Sequence, residues 1–192
     1  MLRTTLTRTT LLSAAVALIL AAAPLTADEF TDTLDAALDA YEAEDINAAA
    51  EELAYASSLL QTMKGEAFAE LLPEPLDGWS REVDMEANAA AGMFGGGVTA
   101  TGTYTGGSGE VRIQMMADNP SVMTMAGMYA NPQMLANMGE VVRVNRQSFV
   151  NQNGELTGVV GGRVLITVAG SASLDDKKAY LEAMDFRAIA GR

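Results

Sequence analysis

The hydrophobic pattern predicts an α+β fold: an N-terminal helical hairpin followed by an antiparallel sheet of about six or seven strands with packing helices. Three observations carry this expectation. Apolar residues recur at helical spacing up to Met63, and the period changes to alternation from Gly78-Trp79 onward. Paired turn residues then cut the alternating region into short runs.

Residues 1–27 read as a signal peptide. Arg3 and Arg8 precede an apolar run from Leu11 to Ala23, and Ala27 offers a small residue before a cut ahead of Asp28-Glu29. The run is thirteen apolar or small residues, short of the roughly 20 that a membrane span needs. Cleavage near Ala27 after general export, a periplasmic location and no stable membrane association afterwards are the expectation. No twin arginine precedes the run, and no cysteine exists for lipid attachment or disulfides.

Residues 28–74 read as an acidic helical hairpin and linker. Phe30, Leu34, Ala37, Leu38 and Tyr41 form one stripe, and Ile46, Ala49, Ala50, Leu53, Ala56, Leu60 and Met63 form a second after a break at Glu44-Asp45. Lys64-Gly65 has the character of a helix end. A short piece, Glu66–Leu72, then leads into the stiff Pro73-Glu74-Pro75 connector. Thirteen Asp or Glu stand here against one Lys, a net of −12, while residues 75–192 carry only −3. Such a surface repels phosphate backbones, so no nucleic acid is expected as partner. A protein partner through the acidic hairpin is expected instead, because one helix pair cannot bury its own apolar face.

Residues 75–192 read as the α+β domain. Trp79–Met85 is a candidate strand, and residues 86–97 are rich in Ala and Gly. Val98, Ala100, Gly102 and Tyr104 alternate with threonines. Beyond Gly106-Gly107-Ser108-Gly109, Val111, Ile113 and Met115 alternate with polar residues, which makes a hairpin with one buried face. Asn119-Pro120 and Asn131-Pro132 each place a capping Asn before a proline suited to the first helical turn. Strands follow at Val141–Val144, Ser148–Asn151, Glu155–Val160 and Arg163–Ala169, with turns at Asn153-Gly154 and Gly161-Gly162. Ser173 opens a closing helix that carries Leu174, Tyr180, Leu181, Met184 and Phe186.

This order of elements resembles the small exported PsbP/Mog1-like domains. The segments Leu71–Trp79, Gly92–Gly97 and Val159–Ser171 are similar to an uncharacterised family of proteobacterial exported (periplasmic) proteins. Ala36–Tyr41 followed by Asp45–Ala49 resembles a single tetratricopeptide-like helix pair. These resemblances imply a compartment and a shape and bring no catalytic motif.

Chemistry is limited by what is missing. With no His and no Cys, Ser-His-Asp and Cys-His sites are excluded, as are the common zinc and haem ligand sets. Lys64, Lys177 and Lys178 fall at expected helix ends or on charged faces, which suits solvation better than nucleophile activation. Gly92–Gly97 lacks the spacing and the following helix of a phosphate loop. No catalytic residue, cofactor or resident metal is assigned, and a non-enzymatic periplasmic binding or accessory protein is expected. The alternative is a soft-metal (copper or silver) binding protein using the Met-rich region 115–138. Seven of the twelve methionines fall there, and Met125 and Met128 are its candidate ligands. Against that alternative, Met125 and Met128 lie beside Val122 and Tyr129 as an expected core stripe, with Met134 and Met138 flanking Leu135.

Overall fold

A computed structural model describes residues 25–84 and 97–191, with side chains from Glu29 onward. Most of the expected signal peptide (residues 1–24) and residues 85–96 of the Gly-rich stretch lie outside the described residues.

Helix α1 (Leu25–Glu42) and helix α2 (Ile46–Ala69) form the predicted hairpin. The break falls where expected. Glu44 takes a positive φ of 62°, and the Asp45 carboxylate accepts from the Ala48 N–H at 3.0 Å to cap α2. One expectation is corrected here: Lys64-Gly65 does not end the second helix. Gly65 is buried inside α2, which runs on to Ala69. A mid-helix glycine costs about 1 kcal/mol. Continuing the helix carries Phe68 and then Leu72 into the core, and each buried side chain of that size contributes about 1.5–3 kcal/mol.

Seven strands follow: β1 (Ser80–Asp84), β2 (Val98–Gly106), β3 (Gly109–Ala117), β4 (Glu140–Val144), β5 (Gln147–Gln152), β6 (Glu155–Val160) and β7 (Val164–Ala169). They make one sheet in the order β1-β2-β3-β7-β6-β5-β4, every pairing antiparallel. Register places Tyr104 opposite Val111, Ile113 opposite Val168 and Leu156 opposite Val168, so these residues share one face. That face is the main core. Phe68 and Leu72 cover it near β2, while α5 (Leu174–Ala183) and α6 (Phe186–Ala190) bring Tyr180, Leu181, Phe186 and Ile189 to the rest. The rings of Tyr104 and Tyr180 stand 4.4 Å apart, and Phe149 and Phe186 5.8 Å.

The closing helix differs from its expectation in being two. Asp185 interrupts it because its carboxylate accepts from the Arg187 and Ala188 N–H groups at 2.9 and 3.1 Å, starting α6 afresh. Helices α3 (Pro120–Tyr129) and α4 (Pro132–Met138) begin as predicted. Asn119 accepts from Ser121 N at 2.9 Å and Asn131 from Gln133 N at 3.0 Å. They pack on β5 and β6 from the other side of the sheet, where Val122, Leu135 and Val150 are buried apart from the main core.

The connector between hairpin and sheet is clamped. Tyr104 Oη donates to Pro73 O at 2.6 Å, and Arg81 Nη1 donates to the same carbonyl at 3.0 Å and to Leu72 O at 3.3 Å. Burial holds the Tyr104 hydroxyl well above its ordinary pKa, so it stays a donor at all physiological pH values.

Candidate functional site

The apolar stripe predicted on α1 is split by the fold. Thr33 and Ala37 are buried against α2, whose contact stripe is Ala49 and Ala56. Small residues at these positions let the helices approach closely. Leu34, Leu38 and Tyr41 are turned away from that contact, as are Ile46, Leu53 and Leu60 of α2. The six lie between 38 and 63 % exposed.

Both sets fall on one side of the hairpin. At about 100° per residue, Leu34, Leu38 and Tyr41 lie roughly 80–140° round from Thr33, and Ile46, Leu53 and Leu60 roughly 20–60° round from Ala49. In an antiparallel pair the same rotational sense brings both stripes to the same face. Tyr55 and Glu29 occupy the opposite face, where the Tyr55 hydroxyl donates to the Glu29 carboxylate at 2.6 Å. That hydrogen bond holds the Tyr55 pKa up, with the Glu29 charge adding to it.

Acids border the apolar face. By the same rotation Asp35 and Glu42 edge it on α1, with Glu44 and Asp45 at the hairpin tip, all exposed. At its lower end, Lys64, Ala67 and Phe68 meet Val98, Ala117 and Asp118 around a small pocket of about 180 Å³. The result, among the described residues, is an exposed apolar surface of two Leu-bearing helices with carboxylates along its α1 edge and at its tip.

Met115 and Met184 are buried in the core as expected, but the methionines of α3 and α4 are not. Val122 is the buried residue of α3, while Met123, Met128 and Met134 are 71, 42 and 48 % exposed and Met125 is half-buried. The expected core stripe of Val122, Met125, Met128 and Tyr129 is therefore corrected in part: a ten-residue helix lying over the sheet offers it one narrow face, which Val122 takes, leaving Met125 and Tyr129 half-buried and Met128 exposed. Met125 and Met128 remain one turn apart on the same side of α3. Lys177 is also corrected, since it is buried at 4 % exposure and donates to Gly154 O at 2.7 Å. It braces the β5–β6 turn from α5. Lys64 is exposed, and Lys178 pairs with Asp175 at 3.7 Å. Among the described residues no three His, Cys, Asp or Glu side chains gather as for a metal ion, and no helix is long and apolar enough to cross a membrane.

No protein-family model, no curated protein and no solved structure matches this chain.

Proposed function

We propose that the chain is a non-enzymatic, exported periplasmic binding or accessory protein whose helical hairpin docks a basic amphipathic segment of a partner protein. The observation that carries this reading is the exposed face of Leu34, Leu38, Tyr41, Ile46, Leu53 and Leu60, edged by carboxylates along α1 and at the hairpin tip. Exposed contiguous apolar surface with a polar rim marks interaction sites. The rim selects the partner: apolar anchors on a cationic helix would satisfy both parts, and a second copy of this chain would bring acid against acid.

Titration with a Leu/Lys amphipathic helical peptide, and with its Leu/Glu counterpart, tests the reading. The cationic peptide is expected to bind, with affinity falling as salt rises across the range where the screening length drops below about 10 Å. Leu38→Asp with Leu53→Asp should weaken it at least about tenfold, while the thermal midpoint moves little because both side chains are already exposed. Equal binding of the anionic peptide would remove charge from the account. Self-association lost in the double variant would make the occupant a second copy.

A second reading is favoured by the exposure of Met123, Met128 and Met134, which core packing does not explain. Thioethers on a periplasmic surface are suited to Cu(I) or Ag(I). One tight equivalent of Ag(I), lost on Met125→Leu with Met128→Leu, would support it. The docking reading expects only weak, substoichiometric uptake.

A further inference from the structure

At the other end of the sheet, a cleft of about 610 Å³ opens between the β4–β5 turn and the α5–α6 junction. Its volume is in the range of small-molecule sites, roughly 300–1,000 Å³. Met184 and Phe186 supply an apolar floor and are themselves buried. Arg146 and Arg187 line the same cleft from opposite walls of sequence, the one on the turn and the other on α6.

Among the described residues these two guanidiniums, like Arg143 and Lys64, lie outside the ion pairs of an acidic chain. Among the described residues Arg81, Arg112, Arg163 and Lys178 are ion paired, and Lys177 serves a carbonyl. Neither Arg146 nor Arg187 has an ion pair or a side-chain hydrogen bond among the described residues. The one carboxylate in the cleft, Asp185, is already engaged with the Arg187 and Ala188 amides. The turn itself is held in place, because Asn145 Nδ2 donates to Glu182 O at 3.0 Å.

Arg146 also sits where an L side chain is disfavoured. Asn145 and Arg146 have φ of 47° and 70°, while the matching positions of the β5–β6 turn are Asn153 at 54° and Gly154 at 88°. Glycine is the easy residue at such a second position, and this chain uses it in one turn and arginine in the other. An arginine kept against backbone preference, beside a second arginine over an apolar floor, points to a ligand rather than to the turn.

We propose that this cleft binds a small amphiphilic organic anion, its carboxylate or phosphate head on Arg146 and Arg187 and its apolar body on Met184 and Phe186. Arginine forks recognise both heads. The site is separate from the hairpin face and stands whether or not that face docks a protein.

Calorimetric titration of the full chain with hexanoate, hexyl phosphate, inorganic phosphate and hexanol tests it. At least one six-carbon anion should bind with a submillimolar Kd, and the preferred one identifies the head. Inorganic phosphate and hexanol should each be at least about tenfold weaker. Arg187→Gln and Arg146→Gly should each cost at least about tenfold in affinity, and Arg146→Gly should leave the melting temperature unchanged or raise it. That second readout separates a lost contact from a lost fold. No binding of either anion up to about 10 mM, equal binding of hexanol or inorganic phosphate, or unchanged affinity in either variant would overturn the proposal.

Discussion

A fragment beginning at residue 75 is expected to remain unfolded, and one beginning at Leu59 to fold. The expected division of the chain falls after Glu74, but the core of the sheet reaches back to Phe68. Removing residues up to 74 takes Phe68 and Leu72 out of a packed interior, and losses of that kind cost about 3–5 and 2–5 kcal/mol respectively. It also strips the Tyr104 hydroxyl and Arg81 of the Leu72 and Pro73 carbonyls. A buried hydroxyl left without a partner adds about 1–3 kcal/mol. Against a total stability of about 5–15 kcal/mol for an ordinary domain, little or nothing remains. A start at Leu59 keeps three turns of α2 and both core side chains while discarding α1. Urea melts followed through Trp79 decide the matter. This single tryptophan lies edge-on to Tyr180 at 5.4 Å and reports on the junction directly. In the full chain, Phe68→Ala with Leu72→Ala should lower the midpoint by about 10–40 °C. A 75–192 fragment melting within a few degrees of the full chain would show the hairpin to be dispensable for the core.

Much of this architecture is legible in the sequence because its signals are local. The apolar–polar alternation of β3, the Asn-Pro helix starts and the Asn153-Gly154 turn each state their structure within two to nine residues, whereas Thr99 and Thr101 of β2, placed on its open face, are buried. The misreadings share a different cause. Gly65 looks like a helix stop until Phe68 and Leu72 are seen to need the helix to continue, and that need is set by β2, some thirty residues on. The β4–β5 turn carries no glycine, so nothing local marks Arg146 as a cleft residue, and its partner Arg187 lies 41 positions away. For the hairpin, periodicity identified the apolar residues of α1 but could not say which turn toward α2. Small side chains at Thr33, Ala37, Ala49 and Ala56 decide that, and the larger Leu34, Leu38 and Leu53 are left outside. Met128 and Met134 misled because a flexible apolar side chain satisfies a core pattern without any core being present.

Gly170→Ala is expected to be among the most damaging single methyl additions in the molecule. Gly170 follows β7 with φ of 112°, a region that L side chains rarely adopt. A Cβ there would lie 2.2 Å from Glu110 O, 2.9 Å from Glu110 C and 3.2 Å from Val111 Cα. All three are backbone atoms of β3, so no side chain can rotate away. The same Glu110 carbonyl accepts from Ala172 N at 2.9 Å, and displacing it would break the link that leads into α5. Position in the sheet magnifies the effect. The β3–β7 pairing joins the β1-β2-β3 half to the β7-β6-β5-β4 half, so a strand forced apart there loosens both. Backbone strain of about 1–3 kcal/mol and overpacking of about 1–3 kcal/mol combine to roughly 3 kcal/mol or more. For a chain of this size that lowers the melting temperature by about 6–12 °C. Gly162→Ala is the control, since Gly162 has φ of 71° and nothing within 4 Å of its would-be Cβ. It should show the cost of the left-handed backbone alone, about 1–2 kcal/mol. Thermal melts of both variants separate the two contributions. If Gly170→Ala costs no more than Gly162→Ala, the close approach of β7's end to β3 is relieved by movement, and the junction is softer than its geometry implies.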